Sequence, residues 1–285
     1  MKCLKIAVQK SGRLHDDSLQ ILKEAGIHID NGKDQLKAHA SNFPLEVLYL
    51  RNGDIPQYLE DGVVDIAIIG ENLLVEQERA LPIAERLGFS KCRLSVAVEK
   101  SFPYKEIKDL NGKKIATSYP NSVQHFLDKK GINADIHIIS GSVEIAPNIG
   151  LADAIVDIVS SGNTLFKNNL IEVEEVLTSE AVLVVSPHIT EEKDQILNEL
   201  QFRLRAVLMA RNSRYVLLNI PNEKLENIRQ ILPGMNSPTV MPLMKAGWSS
   251  IHSVIPKESF WEIINELKTH GAEGILVCPI EKMVL

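Results

Sequence analysis

The residues best suited to chemistry lie between Gly150 and Leu165. An apolar run over 154–159 gives way to Ser160-Ser161-Gly162-Asn163-Thr164, a loop with few large side chains. Its backbone N–H groups can turn inward and close on an anion, as in a phosphate-binding nest. Gly162 permits the positive φ that such a loop often needs. Ser160, Ser161 and Thr164 add hydroxyl donors. Asp157 stands out, because a carboxylate within an apolar strand is costly unless it has a partner. A sugar diol or a bound Mg²⁺ would supply one. The plainer alternative is a strand-to-helix turn with Ser161 or Thr164 as N-cap.

A second anion seat falls near the start of the chain. Lys10, Ser11, Gly12 and Arg13 follow a buried strand over 4–8 and precede a helix that runs to about Gly26. Free N–H groups and the helix dipole favour anions there. The other reading of Lys10 and Arg13 is solvated surface charge. Further on, Gly62-x-x-Asp65 matches Gly150-x-x-Asp153. Each leads into a β-branched strand and then a polar glycine loop, Gly70-Glu71 in the first case. The repetition implies two similar α/β lobes whose strand C-termini meet across a cleft, where ligands of open α/β sheets bind. Asp65 and Asp153 are expected to anchor their turns, and Glu71 to contact a ligand. Tyr119, after a strand that begins near Lys113, either stacks on a flat ring or packs with a satisfied hydroxyl. Glu144 opens a short helix, where the helix dipole accounts for an acid.

The elements that must position these residues follow in order. A strand is expected over 45–50, then a turn with Asp54 as N-cap. A strand over 92–98 crosses into the second lobe. A helix over 122–130 and a strand over 136–139 come next. Strands over 172–176 and 181–185 return the chain to the first lobe. A long helix over 191–211 buries Ile196, Leu200, Leu204, Val207 and Leu208. The remainder reads strand 215–220, helix 223–232, strands 238–243 and 249–255, helix 257–270 and strand 274–279. That βαββαβ order is ferredoxin-like. It holds no evident nucleophile or phosphate loop, which by analogy suggests regulation or assembly.

Composition bounds the partners. The chain has 285 residues, 45% hydrophobic and 24% charged, with a net charge of -6. Length implies about two domains, with material for real cores. The negative balance and lack of a basic tract exclude nucleic acid as an expected partner. No apolar run reaches the roughly 20 residues that span a bilayer. The N-terminus shows no signal-peptide pattern. Cys3, Cys92 and Cys278 are too widely spaced for a metal site and read as reduced thiols of a cytoplasmic protein. The eight His residues show no paired-His helix motif, so a protein-built metal site is not expected.

Several motifs in order resemble the long form of ATP phosphoribosyltransferase. They are Gln9-Lys-Ser-Gly-Arg-Leu14, Asp61-Gly-Val-Val-Asp65 with Ile69-Gly-Glu-Asn72, Ala116-Thr-Ser-Tyr-Pro120, Gly141-Ser-Val-Glu144 and Gly150-Leu-Ala-Asp153. The resemblance covers essentially the full chain. It implies a two-lobed, periplasmic-binding-protein-like α/β catalytic core, with lobe one at 1–93 and 180–211 and lobe two at 94–179. It also implies an ACT-like regulatory domain at 212–285. The implied reaction joins ATP and phosphoribosyl pyrophosphate into phosphoribosyl-ATP, the first step of histidine biosynthesis, with Mg²⁺ carried mainly by substrate. By the same resemblance, Asp157, Ser160, Ser161, Gly162, Asn163 and Thr164 bind phosphoribosyl pyrophosphate. Asn163 departs from the Ala or Arg often found at that position. Lys10, Arg13, Gly70, Glu71 and Tyr119 fall on contacts to ATP or its phosphates, with Glu144 as a possible active-site acid. Asn219, Met235, Ser237, Thr239 and Gly274 fall near the inhibitory histidine site. A homo-oligomer, dimer or hexamer, is implied as well. A ligand-sensing module without chemistry is the competing reading, because two lobes around a cleft also describe solute-binding proteins.

Overall fold

The computed structural model describes residues 3–30, 36–232, 234 and 237–284. In chain order the strands are β1 (Leu4–Gln9), β2 (Lys37–His39), β3 (Leu45–Leu50), β4 (Ile66–Gly70), β5 (Ile83–Arg86), β6 (Cys92–Glu99), β7 (Lys114–Thr117), β8 (Asp135–Ile138), β9 (Ala154–Val159), β10 (Leu170–Ser179), β11 (Ala181–Val185), β12 (Ser213–Pro221), β13 (Thr239–Pro242), β14 (Trp248–Pro256) and β15 (Glu273–Pro279). The helices are α1 (Arg13–Glu24), α2 (Ile55–Glu60), α3 (Glu71–Glu76), α4 (Pro120–Lys130), α5 (Asn163–Lys167), α6 (Glu191–Arg211), α7 (Leu225–Ile231) and α8 (Phe260–Thr269). Two compact units result: Met1–Gln20 with Ile27–Leu197, and Ile21–Gly26 with Asn198–Leu285.

The first unit holds two sheets of matching design, β2-β3-β1-β4-β11-β5 and β10-β6-β9-β7-β8. In each, three strands run parallel: β3, β1 and β4, and β8, β7 and β9. In each, an antiparallel strand that has just crossed from the other sheet pairs with the third, β11 on β4 and β6 on β9. This reciprocal exchange is the two-lobed architecture of periplasmic binding proteins. The central strands explain the apolar runs. Ile66 to Ile69 of β4 and Ala154 to Val156 of β9 are all fully buried, as befits strands covered on both faces.

The repeated Gly-x-x-Asp makes the same clasp in both lobes. Asp65 N–H donates to the Lys5 carbonyl at 3.0 Å, and its carboxylate accepts the Lys5 N–H at 2.8 Å. Asp153 N–H donates to the Lys114 carbonyl at 2.9 Å, and its carboxylate accepts the Lys114 N–H at 2.9 Å. Each aspartate thus pins the strand that follows it to the first residues of its parallel neighbour.

Some expectations fail. Residues 172–176 do not help return the chain to the first lobe. They lie in β10, which pairs with β6 in the second sheet, and only β11 goes back. Register shifts between Glu172 and Glu174 and between Glu175 and Leu177 accompany the packing of Val173, Val176 and Leu177 on the lobe's core. Asp54 precedes α2 but makes no side-chain cap bond.

In α6 the buried stripe is Leu197, Leu200, Leu204 and Val207, while Ile196 and Leu208 are half-buried. The sheet that follows is β13-β14-β12-β15, antiparallel throughout. Val216, Leu218 and Ile220 of β12 alternate onto a core shared with Ile228 of α7 and Leu267 of α8. This is the ferredoxin-like arrangement.

Candidate active site

Only Ser160, Ser161 and Gly162 separate β9 from α5. Gly162 is the N-cap at φ 75°, without a side-chain cap bond. Neither Ser161 nor Thr164 caps the helix, so the first N–H groups of α5 are left for a ligand. The reason is the left-handed turn at Gly162, which puts a residue with no side chain at the cap. A Cβ there would meet nothing within 4 Å, so backbone handedness rather than crowding calls for glycine. Ser160, Ser161, Asn163 and Thr164 are exposed. With Asp157 and Glu144 the loop lines a pocket of ≈ 50 Å³. A water needs about 10–15 Å³ of such space, so the pocket takes a group of a few heavy atoms, such as one phosphate.

Asp157 is half-buried and accepts the Ile158 N–H at 2.8 Å. Burial pushes its carboxyl above the usual range, the Ile158 N–H opposes the rise, and the nearby Glu144 charge adds to it. Tyr119 packs against the lobe's core, near enough to Asp157 to feel its charge. Burial raises its phenol, and the charge of Asp157 raises it further, followed by Cys92 and Glu76. The turn carrying Tyr119 is locked from below. Thr117 Oγ1 donates to the Val156 carbonyl at 2.7 Å and accepts the Tyr119 N–H at 2.9 Å. Ser118 Oγ donates to the Ile139 carbonyl at 2.6 Å.

The first lobe presents Lys10 after β1 and Arg13 at the start of α1, both exposed. The Lys10 N–H ties that loop to the Leu50 carbonyl at 2.8 Å. Arg13 lies 3.9 Å from Asp17. Gly70 and Glu71 stand at the C-terminal end of β4. A Cβ on Gly70 would sit 2.4 Å from Asn72 Oδ1, so a larger residue there would displace the buried Asn72 side chain and its bond from Ser179. Both carboxylate oxygens of Glu71 receive the guanidinium of Arg86, at 2.5 and 2.6 Å. The acid expected to meet a ligand is therefore held in a bidentate pair. Cys92 opens β6 of the second lobe. Burial pushes its thiol up, while the Ser179 hydroxyl and the Arg13 charge pull it back.

In the second unit, Asn219 lies on β12 and Gly274 on β15. They are close neighbours, since a Cβ on Gly274 would come 3.3 Å from Asn219 Nδ2. Thr239 opens β13 opposite His252, with β14 between it and β12. Ser237 is exposed. Met235 lies outside the described residues.

Sequence reasoning missed two neighbours of the expected site residues, Arg86 on Glu71 and Cys92 near Tyr119. Arg86 and Cys92 carry no local signal, because their partners come from other elements. Among the described residues no group of three or more His, Cys, Asp or Glu is placed to hold a metal ion. Asp157 and Glu144 do supply two neighbouring carboxylates. That suits Mg²⁺, which binds through one or two carboxylates plus substrate phosphates and water.

Comparison with known proteins accords with this geometry. The profile of the family described as ATP phosphoribosyltransferase matches residues 51–206, and that of "HisG, C-terminal domain" matches residues 210–282. A Phocaeicola vulgatus protein named ATP phosphoribosyltransferase is 55% identical over 282 residues, 99% of this chain and 100% of its own. A Cytophaga hutchinsonii protein of the same name is 54% identical over 281 residues, 99% of this chain and 98% of its own. The solved ATP phosphoribosyl transferase (HisG:HisZ) complex from Thermotoga maritima has a chain that aligns with TM-score 0.60 and 32% identity, over 71% of this chain and 98% of that one. The chain belongs to the ATP phosphoribosyltransferase family of histidine biosynthesis, in the long form whose polypeptide continues into its own C-terminal domain.

Proposed function

We propose that the chain transfers the phosphoribosyl group of phosphoribosyl pyrophosphate to N1 of the adenine of ATP. Phosphoribosyl-ATP forms and pyrophosphate leaves. The observation that supports this reading is the uncapped Ser160–Thr164 turn beside Asp157, open N–H groups next to a carboxylate. The turn receives the 5-phosphate. Asp157 accepts hydrogen bonds from the ribose hydroxyls. Lys10 and Arg13 offset the charge of pyrophosphate or triphosphate, and Tyr119 orients the adenine.

The N1 lone pair forms the new bond to the anomeric carbon as the bond to pyrophosphate oxygen breaks. The adenine is itself the nucleophile, so no covalent protein intermediate is needed. The protein's task is to hold two substrates in line and to stabilise the charge that develops on the leaving group. Asp157 and Glu144 would supply carboxylates for Mg²⁺, which would offset part of that charge. The C-terminal domain binds histidine near Asn219, Met235, Ser237, Thr239 and Gly274 and lowers activity. The protein works in the cytoplasm as a dimer or hexamer.

The test is pyrophosphate release with ATP, phosphoribosyl pyrophosphate and Mg²⁺, with and without millimolar histidine. Release that needs all three components, with a new ATP-derived product, is the expected result. Suppression by histidine is expected as well. Folded protein that binds phosphoribosyl pyrophosphate but releases nothing would instead be a ligand-sensing module.

A further inference from the structure

The N-terminus of α4 is filled by the protein's own anion, supplied from the opposite lobe. α4 follows β7 at the sheet edge where α5 follows β9. Its first N–H groups would otherwise be a seat for a substrate anion. Its N-cap residue, Tyr119, makes no side-chain cap bond. Glu76, the last residue of α3 in the first lobe, takes that place. One carboxylate oxygen accepts the Asn121 N–H at 3.1 Å, and the other accepts the Ser122 N–H at 3.0 Å and the Ser122 hydroxyl at 2.8 Å. The Glu76 carbonyl also accepts Asn121 Nδ2 at 2.8 Å. Ser122 is 3% exposed, so its bonds face little competition from water, and bonds to a charged acceptor are the stronger kind.

We infer that Glu76 is a positioning residue for the transfer reaction, tying the Tyr119 turn of the second lobe to the first so that substrates held on the two lobes meet in line. The inference rests on the proposed reaction. It follows from what the carboxylate joins. Tyr119 immediately precedes α4, Pro120 has no N–H, and Glu76 fixes the next two N–H groups, those of Asn121 and Ser122. Loss of the tie leaves each lobe folded, with its own hydrogen bonds, and loosens only their relation. It also explains why a phosphate would choose α5 over α4, whose end is already occupied.

The test uses the full-length chain with Glu76→Ala and Glu76→Gln. Gln keeps the side-chain length and one acceptor oxygen but loses the charge and the second acceptor. In Glu76→Ala the amides of Asn121 and Ser122 are expected to exchange at least about tenfold faster, with a smaller gain in Glu76→Gln. kcat is expected to fall about tenfold or more in Glu76→Ala and less in Glu76→Gln, because misplacement by about 1 Å is felt strongly in the rate. The Kd of phosphoribosyl pyrophosphate, measured by calorimetry, should stay within about twofold, because its loop lies wholly in the second lobe. Amide exchange unchanged in Glu76→Ala would overturn the tie. So would kcat within about twofold of wild type, or an equal weakening of phosphoribosyl pyrophosphate binding in both variants, which marks general loss of structure. A wild-type protein that makes no phosphoribosyl-ATP removes the reaction and this inference with it, a failure told apart by the wild-type assay alone.

Discussion

Asp157 sets a balance between stability and use. Its carboxyl is raised chiefly by burial, so the folded protein holds that proton more tightly than the unfolded chain. By linkage, the group favours the folded state at low pH, and that contribution is lost as pH rises from the ordinary carboxylate range of about 3.9 through the raised value. Asp157→Asn is therefore expected to raise the Tm at neutral pH. If the ionised form binds the ribose, the same change lowers kcat on the order of 10²-fold. It also removes an acid limb that lies above the usual carboxylate range in the wild-type rate profile. Thermal scans and pH–rate curves of the two proteins check both effects. Gly162 offers a second test. Gly162→Ala meets no neighbour but forces a left-handed residue, at a cost of about 1–2 kcal/mol. The loop should relax away from its nest, and KM for phosphoribosyl pyrophosphate is expected to rise about tenfold, the equivalent of about 1.4 kcal/mol.

Elements are held by devices of unequal strength. Asp65 and Asp153 make the same backbone clasp, but their surroundings differ. Asp65 is 5% exposed and also holds the Lys193 ammonium at 2.8 and 2.9 Å. Asp153 has its side chain 39% exposed and lies 4.0 Å from Lys113. Removing one partner of a buried pair leaves the other charge stranded. Asp65→Ala is accordingly expected to cost about 3–5 kcal/mol. Asp153→Ala should cost about 1 kcal/mol, the value of an ordinary hydrogen bond. Urea unfolding of both variants separates them, and equal losses would show that the ion pair adds nothing. The repeat was legible from sequence, as two aspartates at one spacing from a glycine, but each was expected to anchor its own turn and instead clasps a neighbouring strand. The Lys193 partner was not, because it comes from α6, more than a hundred residues away.

At the scale of the molecule, two crossings join the lobes, through residues 87–91 and at Glu180. Arg86 and Ser179 flank them and reach back to Glu71 and Asn72. The side chains that border the crossings are thus already engaged before any substrate arrives. The second unit has its own core, so a change within it should leave chemistry intact. Gly274→Val would drive a Cβ to 3.3 Å from Asn219 Nδ2. If histidine binds there, its half-inhibiting concentration should rise at least about tenfold with kcat unchanged, the loss of a coupling of typical size. Inhibition curves on the full-length enzyme test this, and an unchanged curve would place the histidine site elsewhere.

The amino-acid sequence alone determined what depends on short-range pattern. β-Branched runs marked the central strands, because a strand covered on both faces must be apolar along its length. The order of strands and helices from 215–220 onward, with helical spacing of Phe260, Ile263, Ile264 and Leu267 in 257–270, disclosed the ferredoxin-like unit. The Ser160–Thr164 turn between strand and helix was readable because its residues are consecutive in the chain. The tertiary structure decided what depends on residues far apart in the chain. The place of β10 in the second sheet, the Arg86 clamp on Glu71 and the reach of Glu76 to α4 all join residues from separate elements. Such contacts leave no local spacing, because side-chain position in the fold, not order along the chain, brings the partners within hydrogen-bonding distance. The α5 cap divides the same way. Residue types showed that a cap or a nest was available, and only the backbone turn at Gly162 left the hydroxyls and N–H groups open to a ligand.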